Sequence, residues 1–217
     1  MTIEFFAHPF SSYCQKALIA FYENDIPFTY RMLEDEGVGE AFAALWPMKR
    51  FPILRENGRV VLETSIIIEY LQVHRPGPVK LIPENPDLAL EARMLDRFFD
   101  NYVMTPQGKF VYDTLRSPDD RDPYGVEEAR KMLDTSYAWL DQRMQGRTWA
   151  VGDSFTLADC AAAPSLFYAD WTYKIPERYA DLLAYRARLL QRPSFARAVD
   201  EARRFRHYFP LGAPDRD

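Results

Sequence analysis

The segment His74-Arg-Pro-Gly-Pro-Val-Lys-Leu-Ile-Pro-Glu-Asn-Pro86 holds four prolines and one glycine. Proline lacks a backbone donor and clashes with the preceding helical turn, so this stretch cannot lie inside a helix or a central strand. The patterns differ on its two sides. Before it, short strand-like and helix-like runs alternate; after it, almost every run is helical. The chain therefore reads as a mixed α/β domain at 1–75, a linker at 76–87 and an all-α domain at 88–217.

Upstream, Ile3 to Ala7 is a short apolar run suited to a buried strand. Cys14, Ala17, Leu18, Phe21 and Tyr22 then recur at helical spacing, and Asn24-Asp25 with Pro27 ends that helix. Phe28 to Met32 reads as a second strand, completing a βαβ unit whose strands should be parallel. Ile53 to Leu62 holds two apolar runs around Asn57-Gly58, a strong hairpin signal. Thr64 to Val73 is helical again, so the order is βαβ, a connection, then ββα. Downstream, helical patterns cover about 88–102, 125–143, 157–170, 178–190 and 194–205, with 117–123 as a Pro- and Asp-rich loop.

Composition narrows the function. The chain has 217 residues, 27 Lys and Arg against 32 Asp and Glu, and 47% hydrophobic residues. A core of this apolar content excludes disorder, and the acidic balance argues against a nucleic-acid partner, which needs a basic face. No apolar run reaches the length of a membrane span, and the N-terminal residues do not read as a signal peptide. Cys14 and Cys160 form no disulfide framework, and the three histidines are isolated, so no metal site is expected. The chain reads as a cytosolic globular protein. It has no Gly-x-Gly-x-x-Gly, phosphate loop, Gly-x-Ser-x-Gly or His-Glu-x-x-His.

Three strand-to-helix or loop-to-strand junctions remain. The first is His8-Pro-Phe-Ser11-Ser12-Tyr13-Cys14, where free backbone N–H groups and a helix dipole make a site for negative charge. A serine here can equally be a helix cap. The second is Arg50-Phe51-Pro52-Ile53, which also fits an edge strand with proline at its first position. The third is Leu62-Glu63-Thr64-Ser65, which also fits a second cap.

With Phe155-Thr156-Leu157-Ala158-Asp159 and Pro164 in the helical half, these junctions resemble the cytosolic glutathione transferase family over essentially the whole chain. Thr156 and Asp159 look like that family's helical capping box. The resemblance implies a thioredoxin-like N-terminal domain joined to an all-helical C-terminal domain, glutathione as co-substrate, and a homodimer. It implies a cis Pro52, Phe51 pairing by its backbone with the cysteinyl part of glutathione, and Glu63 and Thr64 at the γ-glutamyl end. Ser11 falls on the catalytic serine position of theta-like, zeta-like and many bacterial members, with Ser12 beside it. Arg50 replaces a frequent lysine and can reach the glycyl carboxylate. Trp46 and Phe51 are bulkier than the family's usual residues and imply a narrower pocket. Cys14 occupies the place of a resolving cysteine, but Ser11 removes dithiol chemistry, so Cys14 reads as core.

Ser11 would donate a hydrogen bond to the glutathione sulfur and favour its thiolate for attack on a largely apolar electrophile. Phe10, Met104, Phe110, Tyr112, Phe167 and Tyr168 are the candidate pocket wall, each equally readable as core. Two other readings stand beside this one: a zeta-like glutathione-dependent cis–trans isomerase, and a non-enzymatic glutathione-binding or interaction module.

Overall fold

The computed structural model describes residues 2–217. Its first apolar run forms β1 (Ile3–Ala7), followed by α1 (Ser12–Glu23) and β2 (Phe28–Met32). β1 and β2 pair in parallel, with Ile3 opposite Phe28 and Ala7 opposite Met32, as a βαβ crossover requires. Next come α2 (Val38–Leu45), β3 (Ile53–Glu56), β4 (Arg59–Val61) and α3 (Thr64–His74). Asn57 and Gly58 turn the hairpin with φ of 51° and 80°, the left-handed conformations an Asn-Gly loop supplies most cheaply. The sheet order is β2-β1-β3-β4.

The pairing directions position the site. β3 runs antiparallel to β1, and β4 antiparallel to β3. Two reversals return β4 to the direction of β1. The C-terminal ends of β1 and β4 and the start of β3 therefore share one end of the sheet, and α1 and α3 both begin there.

Helix α2 falls in the segment read only as a connection. Gly37, its N-cap at φ 73°, and Gly39 in its first turn hide it, yet Val38 and Phe42 pack on Phe6 and Ile53. That packing, rather than propensity, sustains so short a helix.

The helical half comprises α4 (Pro86–Phe98), a π-helical stretch (Phe99–Met104), α5 (Thr105–Thr114), α6 (Pro123–Met144), α7 (Leu157–Thr172), α8 (Ala180–Leu190) and α9 (Pro193–Ala202). A 3₁₀ turn (Arg203–Tyr208) follows. The sequence pattern ends the first of these helices near Tyr102. The chain instead stays helical: the π stretch, whose wider turn pairs the Thr105 N–H with the Asp100 carbonyl, leads directly into α5 with Pro106 in the first turn of α5. α7 is buried on every side and has no polar face. Its start is held by Asp159, which is 0% exposed and accepts from the N–H groups of Thr156 and Ala150, each at 2.9 Å, and from the Tyr185 hydroxyl at 2.6 Å. Among the described residues, no helix is long and apolar enough to cross a membrane.

Candidate functional site

Ser11, the Phe51–Pro52 peptide and Glu63–Thr64 gather at the shared end of the sheet, where ligands of open α/β sheets tend to bind. Ser11 is the N-cap of α1, with φ −83° and ψ 126°. Its Oγ accepts from the Cys14 N–H at 3.4 Å, and its own N–H donates to the His8 carbonyl at 3.0 Å. Capping uses one lone pair of the hydroxyl, so the serine keeps an O–H proton to donate, and the Cys14 sulfur is one acceptor within its reach. The two readings of this serine are thus compatible in one residue. Ser12 is the first helical residue and is half-buried.

The Phe51–Pro52 peptide is cis, Pro52 is buried, and Arg50 and Phe51 are exposed. The Phe51 ring meets Phe42 edge-on at 6.1 Å. Glu63 precedes α3 with φ 66° and ψ 124°, an unfavourable conformation for a residue with a Cβ. Such strain is concentrated at ligand clamps and active sites. Thr64, the first residue of α3, is buried.

The loop 8–11 is anchored from the helical half. The Tyr168 hydroxyl donates to the Phe10 carbonyl at 2.8 Å, and buried Gln15 donates to the Pro9 carbonyl at 3.0 Å and to Tyr168 at 3.2 Å. Tyr168, a candidate wall residue, therefore fixes the loop that carries Ser11, and the Phe10 ring stands edge-on to it at 5.5 Å. Phe167 and Met104 are buried, Phe167 against Trp171 at 4.6 Å. Phe110 stacks on Tyr173 at 6.1 Å, under Arg130. Tyr112 is exposed and lies close enough to Tyr13 to affect its ionisation. The six wall candidates are thus not one exposed surface: Phe10, Tyr168 and Phe167 form a line of edge-on contacts, with Phe167 buried at its inner end, while Met104 is buried, Phe110 stacks on Tyr173 and Tyr112 is exposed.

Sequence reasoning missed the charge cluster beneath the cleft. Lys16 is 1% exposed, and its Nζ lies 2.6 Å from Asp96, 2.8 Å from Asp100 and 3.3 Å from the Ser65 hydroxyl. Arg97 bridges Asp96 and Asp100, each at 2.7 Å, and donates to Ser65 at 2.6 Å. The cluster ties α1, α3 and the α4–π junction together. Its signal in the sequence is a lysine within the apolar run Cys14–Phe21. Tyr13 faces the same region. Burial, reinforced by the Asp100 carboxylate, pushes its hydroxyl up to about 12, so it stays a neutral donor.

Cys14 is 0% exposed, and burial pushes its thiol up to about 12 against the opposing bonds from Ser11 and His8. It is expected to resist iodoacetamide at pH 8 in the native protein and to react once unfolded, as read by mass spectrometry; rapid native labelling would contradict this. Because the folded value lies above the ordinary 9.0, the neutral thiol's contribution to stability is complete below pH 9 and is lost as pH rises toward 12. No group of three or more metal-ligating side chains occurs among the described residues.

Family models for the glutathione S-transferase N-terminal and C-terminal domains match residues 5–79 and 123–188. A probable glutathione S-transferase of Nicotiana tabacum is 31% identical over 154 residues, covering 70% of this chain; the match spans 61% of the length of that relative. A stringent starvation protein A homolog of Coxiella burnetii is 24% identical over 91% of both chains. The crystal structure of a glutathione S-transferase from Methylobacterium radiotolerans, in complex with glutathione sulfonate, superposes with a TM-score of 0.79 at 26% identity, covering 92% of this chain and 95% of that one. Matched separately in its thioredoxin-like half and in its helical half, the chain belongs to the glutathione S-transferase family.

Proposed function

We propose that this protein is a glutathione transferase that activates the glutathione thiol through Ser11. The observation that supports it is the convergence of Ser11, Phe51–Pro52 and Glu63–Thr64 at one end of the sheet, where two helices present their N-termini. The γ-glutamyl end would lie at Glu63 and Thr64, the cysteinyl backbone along Phe51, and the glycyl carboxylate near Arg50. This orientation brings the sulfur to Ser11 and Ser12. The M. radiotolerans relative carries glutathione sulfonate, which supports glutathione as the co-substrate here.

A free thiol has a pKa of about 8.5, so only a few per cent is ionised at pH 7. A hydroxyl hydrogen bond and the positive end of α1 both favour the thiolate, and Ser11 need not ionise. The thiolate then attacks an electrophile at the mouth of the cleft, beside Phe10 and the exposed Tyr112. Attack forms the carbon–sulfur bond, and the electrophile either expels a leaving group or takes up the electron pair and a proton. Ser11→Ala is expected to lower kcat/KM for glutathione conjugation of a chlorodinitrobenzene by roughly 10- to 100-fold, the worth of a hydrogen bond to a charged group. An unchanged rate would remove Ser11 from the mechanism.

The active form is proposed to be a homodimer. Ile66 and Val73 on α3 and Leu90 and Met94 on α4 are all exposed, and the Glu69–Arg93 pair at 2.8 Å joins these helices. Such a patch on neighbouring helices suits burial against a second copy. Leu90→Glu is expected to shift the protein from dimer to monomer in sedimentation velocity. A wild type that sediments as a monomer would overturn the dimer.

A further inference from the structure

Two successive peptide groups lead into Ser11, and each is clamped at both ends. The first joins Pro9 to Phe10: its carbonyl accepts from Gln15 at 3.0 Å, and its N–H donates to the His8 Nδ1 at 3.2 Å. The second joins Phe10 to Ser11: its carbonyl accepts from the Tyr168 hydroxyl at 2.8 Å, and its N–H donates to the His8 carbonyl at 3.0 Å. The His8 N–H also reaches the Cys14 sulfur at 3.5 Å. His8 therefore accepts from both loop N–H groups, one through its side chain and one through its backbone. The side-chain clamp works only while Nδ1 carries no proton, which puts the hydrogen of the neutral ring on Nε2.

The imidazole is itself seated by two distant parts of the chain. Its Nε2 lies 3.4 Å from the Glu34 carboxylate, on the turn after β2, and the side chain is only 14% exposed. From the 3₁₀ turn after α9, the Phe205 ring meets it edge-on at 4.7 Å and the Tyr208 ring lies 5.9 Å away. Burial holds the imidazole below its ordinary 6.5, against the opposing pull of Glu34 and with a smaller push from Arg204. At neutral pH the ring is therefore uncharged and keeps its acceptor.

We propose that His8 is a positioning residue for Ser11: its Nδ1 holds the Pro9–Phe10 peptide in place and so sets where the Ser11 hydroxyl points. The proposal rests on Ser11 as the residue that activates the glutathione thiol. A hydroxyl bond weakens steeply as it leaves its line, and a displacement of about 1 Å in a site can cost 100-fold in rate. A loop that loses one of its four clamps would therefore favour the thiolate less.

The test compares His8→Asn with His8→Leu in the full-length protein. The two replacements have nearly the same shape and both remove the ring contacts, but only asparagine offers an oxygen acceptor near the place of Nδ1. Bound glutathione is titrated by ultraviolet difference in wild type, both His8 variants, Ser11→Ala and the double variant His8→Leu/Ser11→Ala. The expected result is a thiol pKa raised by roughly half a unit or more in His8→Leu, with most of that shift recovered in His8→Asn. The double variant should titrate as Ser11→Ala alone, because His8 acts through Ser11. No shift in His8→Leu, equal shifts in both His8 variants, or full additivity in the double variant would each overturn the proposal while leaving the Ser11 reading intact. Equal titration of wild type and Ser11→Ala would overturn that reading and this proposal with it. If His8→Leu fails to bind glutathione, amide exchange at Phe10, read by NMR, decides instead: protection should hold in wild type and His8→Asn and fall in His8→Leu, and equal protection in all three would overturn the proposal.

Discussion

Replacing Lys16 by methionine is expected to destabilise the protein by about 3–5 kcal/mol, because it leaves buried carboxylates without their partner. Asp96 and Asp100 are 2% and 8% exposed, and Lys16 contacts both. Arg97 would compensate in part. For a chain of this size the thermal midpoint should fall by roughly 10 °C. Two further measurements separate charge from packing. Adding Asp96→Asn and Asp100→Asn to Lys16→Met should recover much of the loss, since it removes the uncompensated charge. Lowering the pH should narrow the gap between Lys16→Met and wild type as well. Burial already holds the Asp100 carboxyl above its ordinary 3.8, against the pull of Lys16 and Arg97. Without Lys16 it should rise further, and a carboxyl whose folded value is raised gains stability as pH falls through that value. Equal thermal midpoints for wild type and Lys16→Met would refute the buried-cluster account.

Asp159→Ala is the second large effect, expected at about 3–5 kcal/mol. It strips partners from the N–H groups of Ala150 and Thr156 and from the Tyr185 hydroxyl, all in the core. Each buried donor left unpaired costs about 1–3 kcal/mol. Chemical denaturation reads it, and Asp159→Asn should fall between wild type and alanine because an amide oxygen can still accept. Indistinguishable midpoints for Asp159→Ala and wild type would contradict this role. Because α7 packs against both α1 and α4, a loosened α7 N-terminus should also loosen the domain contact.

Much of the fold was legible before any coordinates. Proline clustering at 74–86 separates the two patterns, the Asn57-Gly58 signal fixes the hairpin, and Thr156 to Asp159 marks the start of the buried helix. Helices α2 and α5 were hidden because glycine and proline sit at or near their starts, and tertiary packing, not local propensity, decides them. The junction residues could be nominated because strand-to-helix turns recur with recognisable residue types. Lys16, Ser65, Arg97 and Asp100 could not: their chemistry depends on bringing together residues up to 84 positions apart. The same limit applies to the aromatic wall. Phe167 and Phe110 have the composition of a pocket, but their neighbours in space make them core and domain packing.

The central claim is that Ser11 stabilises the glutathione thiolate. It is tested most directly by ultraviolet difference titration of glutathione against wild type and Ser11→Ala, following the thiolate band across pH. The account predicts a thiolate signal near neutral pH for the wild type, displaced upward by at least one pH unit in Ser11→Ala, about 1.4 kcal/mol per unit. Bound glutathione that titrates alike in both proteins, near the value of the free thiol, would contradict it.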